Sequence, residues 1–266
     1  MIAGGRAPNA LTRVSGQRLK GLMTLDKKPL VGHVAQALLM SGVERVAVVG
    51  SELLIQALPQ VPERLLFALE GRTLVDNLLR GAETLGLCPE DRFLQCAVDL
   101  PMVSASALCD LMQWASPDAD VTVPLVPEEV FRARYPGGPY KALRFAEGRF
   151  INASASVMRL EFLLRQEPLV QRLARRRKSV AGIVGTLLIH FHYHLFSTGV
   201  PLATRFLTGR LSLTDISKAA RRVLNTQVQI FTQAQPELAY DVDNEHDYRY
   251  AKAWFQTAHK PATTDL

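Results

Sequence analysis

Apolar positions recur at helical spacing between Pro29 and Ser41, where Leu30, Val34, Ala37 and Leu38 share one face. Pro29 suits a first helical turn and Gly42 ends the helix. The run Val43 to Gly50 is continuously apolar after Arg45 and reads as a buried strand. Thr73 to Leu85 returns to helical spacing, Arg92 to Val98 to a strand, Ser104 to Trp114 to a helix and Ala119 to Leu125 to a strand. Helices alternating with strands in this way predict an α/β fold. The expected architecture is a three-layer α/β/α, Rossmann-like, mostly parallel sheet. Residues 1–28, rich in Gly, Pro, Asn, Ser and basic side chains, read as a loop.

The second half is less regular. Lys141 to Arg144 and Arg149 to Asn152 predict a hairpin around Glu147-Gly148. Arg159 to Arg177 reads as a helix bent near Pro168. Ser179 to Thr204 carries no Asp, Glu, Lys or Arg, which is long enough to span a bilayer. Its glycines, histidines and Pro201 argue instead for a buried or interfacial hairpin. Ser212 to Leu224 predicts an amphipathic helix with a Ser212/Asp215 capping box. Short strands are expected at Val228 to Thr232 and Tyr240 to Val242, then a helix from Asn244 to about Ala258. Residues 150–225 read as a helical insertion in a single domain spanning 1–258, with 259–266 as a frayed tail.

Composition narrows the picture. At 266 residues, 48% hydrophobic and 21% charged, the chain has an ordinary globular make-up, which excludes disordered, collagen-like and coiled-coil classes. Three cysteines without CxxC spacing predict neither a disulfide framework nor a zinc site and suit a reducing cytoplasmic home. The formal charge is +6. Residues 1–30 are at +5, through Arg6, Arg13, Arg18, Lys20, Lys27 and Lys28 against Asp26. Residues 172–178 hold another +5. Together they exceed the total by four, so the rest of the chain stands at −4. Two basic spots on an acidic body argue against nucleic acid as a partner.

Three constellations carry chemistry. The first joins Ala3-Gly4-Gly5-Arg6 to Lys20. Paired glycines let backbone N–H groups approach a phosphate, and a lysine adds a point charge. The second is Asp99, in Val98-Asp99-Leu100-Pro101, at the carboxyl end of a buried strand, where open α/β sheets bind ligands. A carboxylate there suits Mg²⁺, or caps the next turn. The third is Asp241-Val242-Asp243-Asn244. Strand alternation puts Asp241 and Asp243 on one side, although Asp243 or Asn244 also fits as a helix cap.

In order and spacing the three constellations resemble nucleotidyltransferases with the glycosyltransferase-A-type fold. Among these, the molybdenum cofactor guanylyltransferase-like group is similar in pattern. Ile2 to Gly5, Lys20 to Leu30, Asp99 to Pro101 and Asp241 to Asp247 carry the resemblance, over about 1–145 and 226–258. It implies a Mg²⁺-dependent transfer of NMP from an NTP, GTP or CTP, to a phosphorylated or hydroxylated small-molecule acceptor, with pyrophosphate leaving. It places Ala3, Gly4, Gly5, Arg6 and Lys20 against the nucleotide phosphates, and Gly71, Asn77 and Gly81 near base or ribose. Lys20 and Asp99 become the catalytic pair, with Asp99, Asp243 and Asp241 around the metal. Asn152, Ser154 and Ser156, which follow the hairpin, are expected to line the acceptor pocket.

The chain departs from that pattern in three places. Ala7 to Leu11 stands where the group carries Arg-Met, leaving Arg6 or Arg13 as the substitute. Asp26-Lys27 stands where a Gly is usual. Asn244-Glu245-His246 replaces Thr-Pro-Glu. The chain also begins inside the expected first strand, which predicts a start codon placed too late. His190, His192 and His194 read as an aromatic face rather than a metal site, and Trp114 and Trp254 as packing residues. Two alternatives accompany the enzyme reading. One is a catalytically degenerate nucleotide- or metabolite-binding protein. The other is a peripheral membrane enzyme that uses a lipid-linked acceptor and touches the membrane surface weakly through 172–207.

Overall fold

The structure is a computed structural model that describes residues 1–57, 62–168, 171 and 200–258. The expected loop at the N-terminus is partly ordered structure. It holds α1 (Asn9–Ser15), a 3₁₀ turn (Lys20–Leu22) and a short antiparallel pair, β1 (Thr24–Leu25) and β2 (Lys28–Pro29). Helix α2 (Leu30–Met40) follows, with β3 (Val46–Gly50), α3 (Glu52–Gln56), β4 (Leu65–Leu69) and α4 (Leu74–Leu85). Next come β5 (Arg92–Cys96), α5 (Ala105–Trp114), β6 (Val121–Pro127) and α6 (Glu128–Arg134). The hairpin β7 (Ala142–Phe145) and β8 (Gly148–Asn152) leads into β9 (Ala155–Arg159) and α7 (Leu160–Arg165). The described part closes with α8 (Val200–Leu207), α9 (Leu213–Leu224), β10 (Val228–Phe231) and α10 (Glu245–Ala258).

Met1–Ala3 knits the strands into one sheet. Ile2 bridges Val49 on one side and Ala97 on the other, both in parallel register. The Ala3 N–H donates to the Val49 carbonyl at 2.8 Å, and the Val98 N–H donates to that of Ile2 at 3.1 Å. The order is therefore β4, β3, 1–3, β5, β9, β6, β10, with β7–β8 extending from β6. Only β9 runs antiparallel within that series; β3–β4 and β6–β10 are parallel. The mostly parallel α/β/α expectation holds.

Period-two alternation sends the side chains of the central strands to opposite faces of the sheet. Met1, Ala3, Val46, Val48, Leu94 and Cys96 join the large core with α2, α5 and α10. Ile2, Phe93 and Met158 point the other way and pack with Val75, Leu78 and Ala82 of α4 and Leu163 of α7. Helix α4 starts on a complete capping box, Thr73 with Asp76, and stops at left-handed Gly86. Helix α9 uses Ser212 with Asp215, as the sequence pattern predicts.

Three expectations need correction. Tyr240–Val242 is not a strand; its Val242 N–H donates to the Asp99 carbonyl at the sheet edge, at 2.9 Å. Residue 159 closes a strand instead of opening a helix, because Arg159 pairs with Arg92. Strands β4 and β9 lie where none was expected. The basic cluster 172–178, the three histidines and most of the apolar stretch lie outside the described residues. Among the described residues no helix is long and apolar enough to cross a membrane.

Candidate active site

Four segments meet at the carboxyl edge of the parallel strands. Residues 3–5 leave the central strand. Arg6 forms an isolated antiparallel bridge with Leu19, and the Lys20 N–H donates to the Gly5 carbonyl at 3.0 Å, so the loop returns directly beneath the glycines. Gly21 fits against Leu54 and Val98: a Cβ there would lie 2.3 Å from Leu54 Cδ1. That close approach seats the Lys20 side chain inward, where the residue is 6% exposed.

Its ammonium donates to Asp99 Oδ2 and to Asp243 Oδ1, each at 2.6 Å. Burial opposes a charge there, yet the two carboxylates override it and hold the Lys20 pKa above the ordinary lysine value. Asp241 completes the acidic group. Burial, then the like charges of Asp99 and Asp243, push its carboxyl up to about 7. The capping alternatives resolve cleanly. Asn244 Oδ1 accepts from the N–H groups of His246 and Asp247, and Ser104 caps α5, which leaves the carboxylates of Asp243 and Asp99 directed at Lys20.

Val242, fully buried between Asp241 and Asp243, anchors this edge. Asp247 Oδ2 accepts from the N–H groups of Asp243 and Asn244, and the Tyr240 hydroxyl donates to the Asp247 carbonyl at 2.8 Å. The Tyr248 hydroxyl reaches the Thr24 carbonyl at 2.8 Å and ties α10 to the segment carrying Lys20.

The glycine loop faces a residue that sequence reasoning missed. A Cβ on Gly4 would lie 2.0 Å from Glu70 Oε2. Arg6 donates to Glu70 Oε1 at 2.5 Å and to the Gly4 carbonyl at 3.2 Å. Glu70 sits one residue past β4, so recognising that strand would have exposed it as a sheet-edge carboxylate. Beside it, the Gly71 N–H donates to Asn77 Oδ1 at 2.6 Å, and Asn77 is buried. Gly81 instead packs under the sheet, with a built Cβ 3.2 Å from Val49 Cγ2. Arg6, Asn9, Thr12, Arg13 and Arg18 line an open cleft of about 610 Å³ next to the loop.

The other expected residues bond to partners elsewhere. Asn152 donates to the Ala153 carbonyl, and Ser154 is joined through its backbone to Ala97 and Leu238. Ser156 bonds Gln95 at 3.2 Å. A separate cleft of about 330 Å³, lined among others by His33, Met102, Tyr135 and Trp254, includes none of Lys20, Asp99 or Asp243. Cysteine chemistry is absent from the edge: burial pushes the Cys96 thiol up to about 12, where it stays protonated.

Buried cation, crowded carboxylates and glycine loop suit the handling of phosphate charge. No curated protein matches the chain significantly in sequence. Among solved structures, a hypothetical transferase from Thermus thermophilus is 26% identical. The match covers 92% of this chain and 96% of that one, with a TM-score of 0.75. A CMP:2-keto-3-deoxy-manno-octonic acid synthetase complexed with CTP shares the fold at 14% identity (97% and 98% covered, TM-score 0.59). So does a 4-diphosphocytidyl-2C-methyl-D-erythritol synthase from Anaerococcus prevotii at 9% identity (96% and 93% covered, TM-score 0.55). A family model, the MobA-like NTP transferase domain, matches residues 1–181. The chain belongs to the MobA-like NTP transferase family.

Proposed function

We propose that the protein transfers an NMP group from an NTP to a phosphorylated or hydroxylated small molecule and releases pyrophosphate. The observation that carries this reading is the convergence of Lys20, Asp99, Asp241 and Asp243 beside Gly4 and Gly5. An acceptor oxygen attacks the α-phosphorus as the bond to the β-phosphate oxygen breaks. Little covalent chemistry is asked of the protein; positioning and charge stabilisation lower the barrier.

The Gly4-Gly5 backbone lets the triphosphate approach closely, and Lys20 neutralises charge that grows on the α-phosphate. Arg6, Arg13 and Arg18 supply cations for the outer phosphates, in place of the family's Arg-Met. Glu70 and Asn77 stand where base or ribose would meet the loop. Asn152 and Ser154 remain our assignment for the acceptor side, since Ser154 pairs with the strand that delivers Asp99.

The donor chemistry also fits magnesium. Asp99, Asp243 and Asp241 offer the hard oxygen ligands that it prefers. Among the described residues no three such side chains are already gathered around a vacant centre. Lys20 holds the place between the nearest two. Bound there, the ion would supply charge neutralisation at the reacting phosphate.

Pyrophosphate release across the four common NTPs, with Mg²⁺ and a panel of sugar phosphates, polyols and phosphorylated cofactor precursors, tests the reading. One NTP–acceptor pair should give turnover. Tight NTP binding with no turnover on any acceptor would establish instead a binding protein of the same fold.

A further inference from the structure

The acid cluster already contains a cation. Lys20 Nζ is 2.6 Å from both Asp99 Oδ2 and Asp243 Oδ1, and the side chain is 8% exposed. An ammonium shared between two carboxylates occupies the place that a divalent ion needs, and one position cannot hold both charges. The same ammonium is the group expected to face the α-phosphate.

We propose that Lys20 is the resident cation of the nucleotide-free protein, so that metal and lysine compete and the metal enters the acid cluster only after a nucleotide has drawn Lys20 away. This rests on the nucleotidyltransferase reading for the ligand that displaces the lysine. Three physical points support it. Two carboxylates, Asp99 and Asp243, share the one ammonium, so vacating the lysine leaves both without their cation and the position cation-seeking. Lys20 is flexible along four methylenes, whereas its backbone is pinned by Gly5 and Gly21, so the head can turn without the loop moving. Gly5 lies beside the stem, with a built Cβ 3.5 Å from Lys20 Cδ, so the head's alternative station is at the glycine loop. Binding order then follows from charge: triphosphate first, divalent ion second.

Electron paramagnetic resonance of Mn²⁺ with the metal-free full chain, no nucleotide present, tests the idea without turnover. Wild type should bind Mn²⁺ weakly. Lys20→Met should bind it at least about tenfold tighter, because a unit positive charge a few ångströms away is gone. Adding Asp99→Asn to Lys20→Met should remove the gain. Arg149→Met, which removes an equal charge from an exposed arginine paired with Glu128, should leave Mn²⁺ affinity near wild type. The proposal is overturned if Lys20→Met binds Mn²⁺ no tighter than wild type, or if Arg149→Met tightens it as much.

A second measurement needs no variant. A non-hydrolysable NTP analogue, taken from the panel, should bind wild type in excess EDTA. Binding that strictly requires metal would also overturn the proposed order. Failure of every NTP to bind under any condition would instead defeat the nucleotidyltransferase reading, while the Mn²⁺ comparison would still decide the role of Lys20 in the free protein.

Discussion

Asp243 lies 223 positions beyond Lys20, yet its Oδ1 accepts the Lys20 ammonium proton at 2.6 Å. The pair joins the first loop of the chain to the entry of its last helix. The Tyr248 hydroxyl ties the two segments together through the Thr24 carbonyl, and the Val242 N–H ties the second of them to the Asp99 carbonyl. The site therefore depends on both chain ends packing on the same sheet edge.

Gly21 packs tightly beside Lys20, where a Cβ would lie 2.3 Å from Leu54 Cδ1. Its missing side chain accommodates Leu54, which is fully buried. Gly21→Ala should destabilise the fold by about 1–3 kcal/mol, the usual cost of overpacking. Leu54→Ala in the same chain should cost less than its own effect added to that of Gly21→Ala. Denaturant unfolding of the two single variants and the double provides the check; strict additivity would argue against the contact.

Gly4 and Glu70 form a different kind of contact. The Glu70 carboxylate is the free end of a flexible side chain, so Gly4→Ala should push it aside at small cost in stability while breaking its ion pair with Arg6. Nucleotide affinity should fall in Gly4→Ala. In a Glu70→Ala background the same glycine change should cost less, since the colliding atom is gone. Calorimetric titration of the four proteins reads the coupling directly.

The Asp26-Lys27 turn adopts a conformation that favours glycine. Asp26 has φ of 48° and Lys27 of 63°, both left-handed, in the two-residue link between β1 and β2. Lys27→Gly should stabilise the protein by up to about 1 kcal/mol by relieving that conformation. A lowered melting temperature would contradict this.

Asp241 gives the metal-free protein an unusual pH response. Its folded pKa of about 7 lies above the ordinary carboxylate value, so between those limits the folded state binds more protons than the unfolded state. Its stabilising contribution is complete below the unfolded value and is lost as pH rises towards about 7. Metal-free protein should thus lose stability from this group between roughly pH 4 and 7. Asp241→Asn should flatten that part of the profile. An unchanged slope in the variant would assign the response to other groups.

How legible was this molecule in its sequence? The buried parallel strand 46–50 and helix 74–85 stood out because their burial is one-sided or complete and their caps are explicit. Strand 65–69 was harder: it is an edge strand with only Leu65 buried, so nothing in its pattern marks an inward face. Strand 155–159 mixes Ser156 and Arg159 into a short antiparallel run, and its pairing with 92–96 is a tertiary fact. Helix 9–15 buries a single residue, Leu11, which hid it among turn-forming neighbours. Lys20 and Asp99 were legible because a glycine-loop motif and a strand-end motif carry them, and Asp243 because of the Asp-Val-Asp run itself, although no strand forms there. Glu70 was not, since its meeting with Gly4 depends on the strand that went unseen.

The central claim is nucleotidyl transfer at the Lys20 acid cluster, and an α-phosphorus label tests it most directly. With NTP labelled at that phosphorus, Mg²⁺ and the acceptor found by screening, the label should appear on the acceptor, matched one for one by pyrophosphate. Asp99→Asn should slow transfer at least about a hundredfold, as expected for loss of a charged group at the reacting centre, while remaining folded. Label that stays on the nucleotide with every acceptor, or moves at the wild-type rate in Asp99→Asn, would contradict the account.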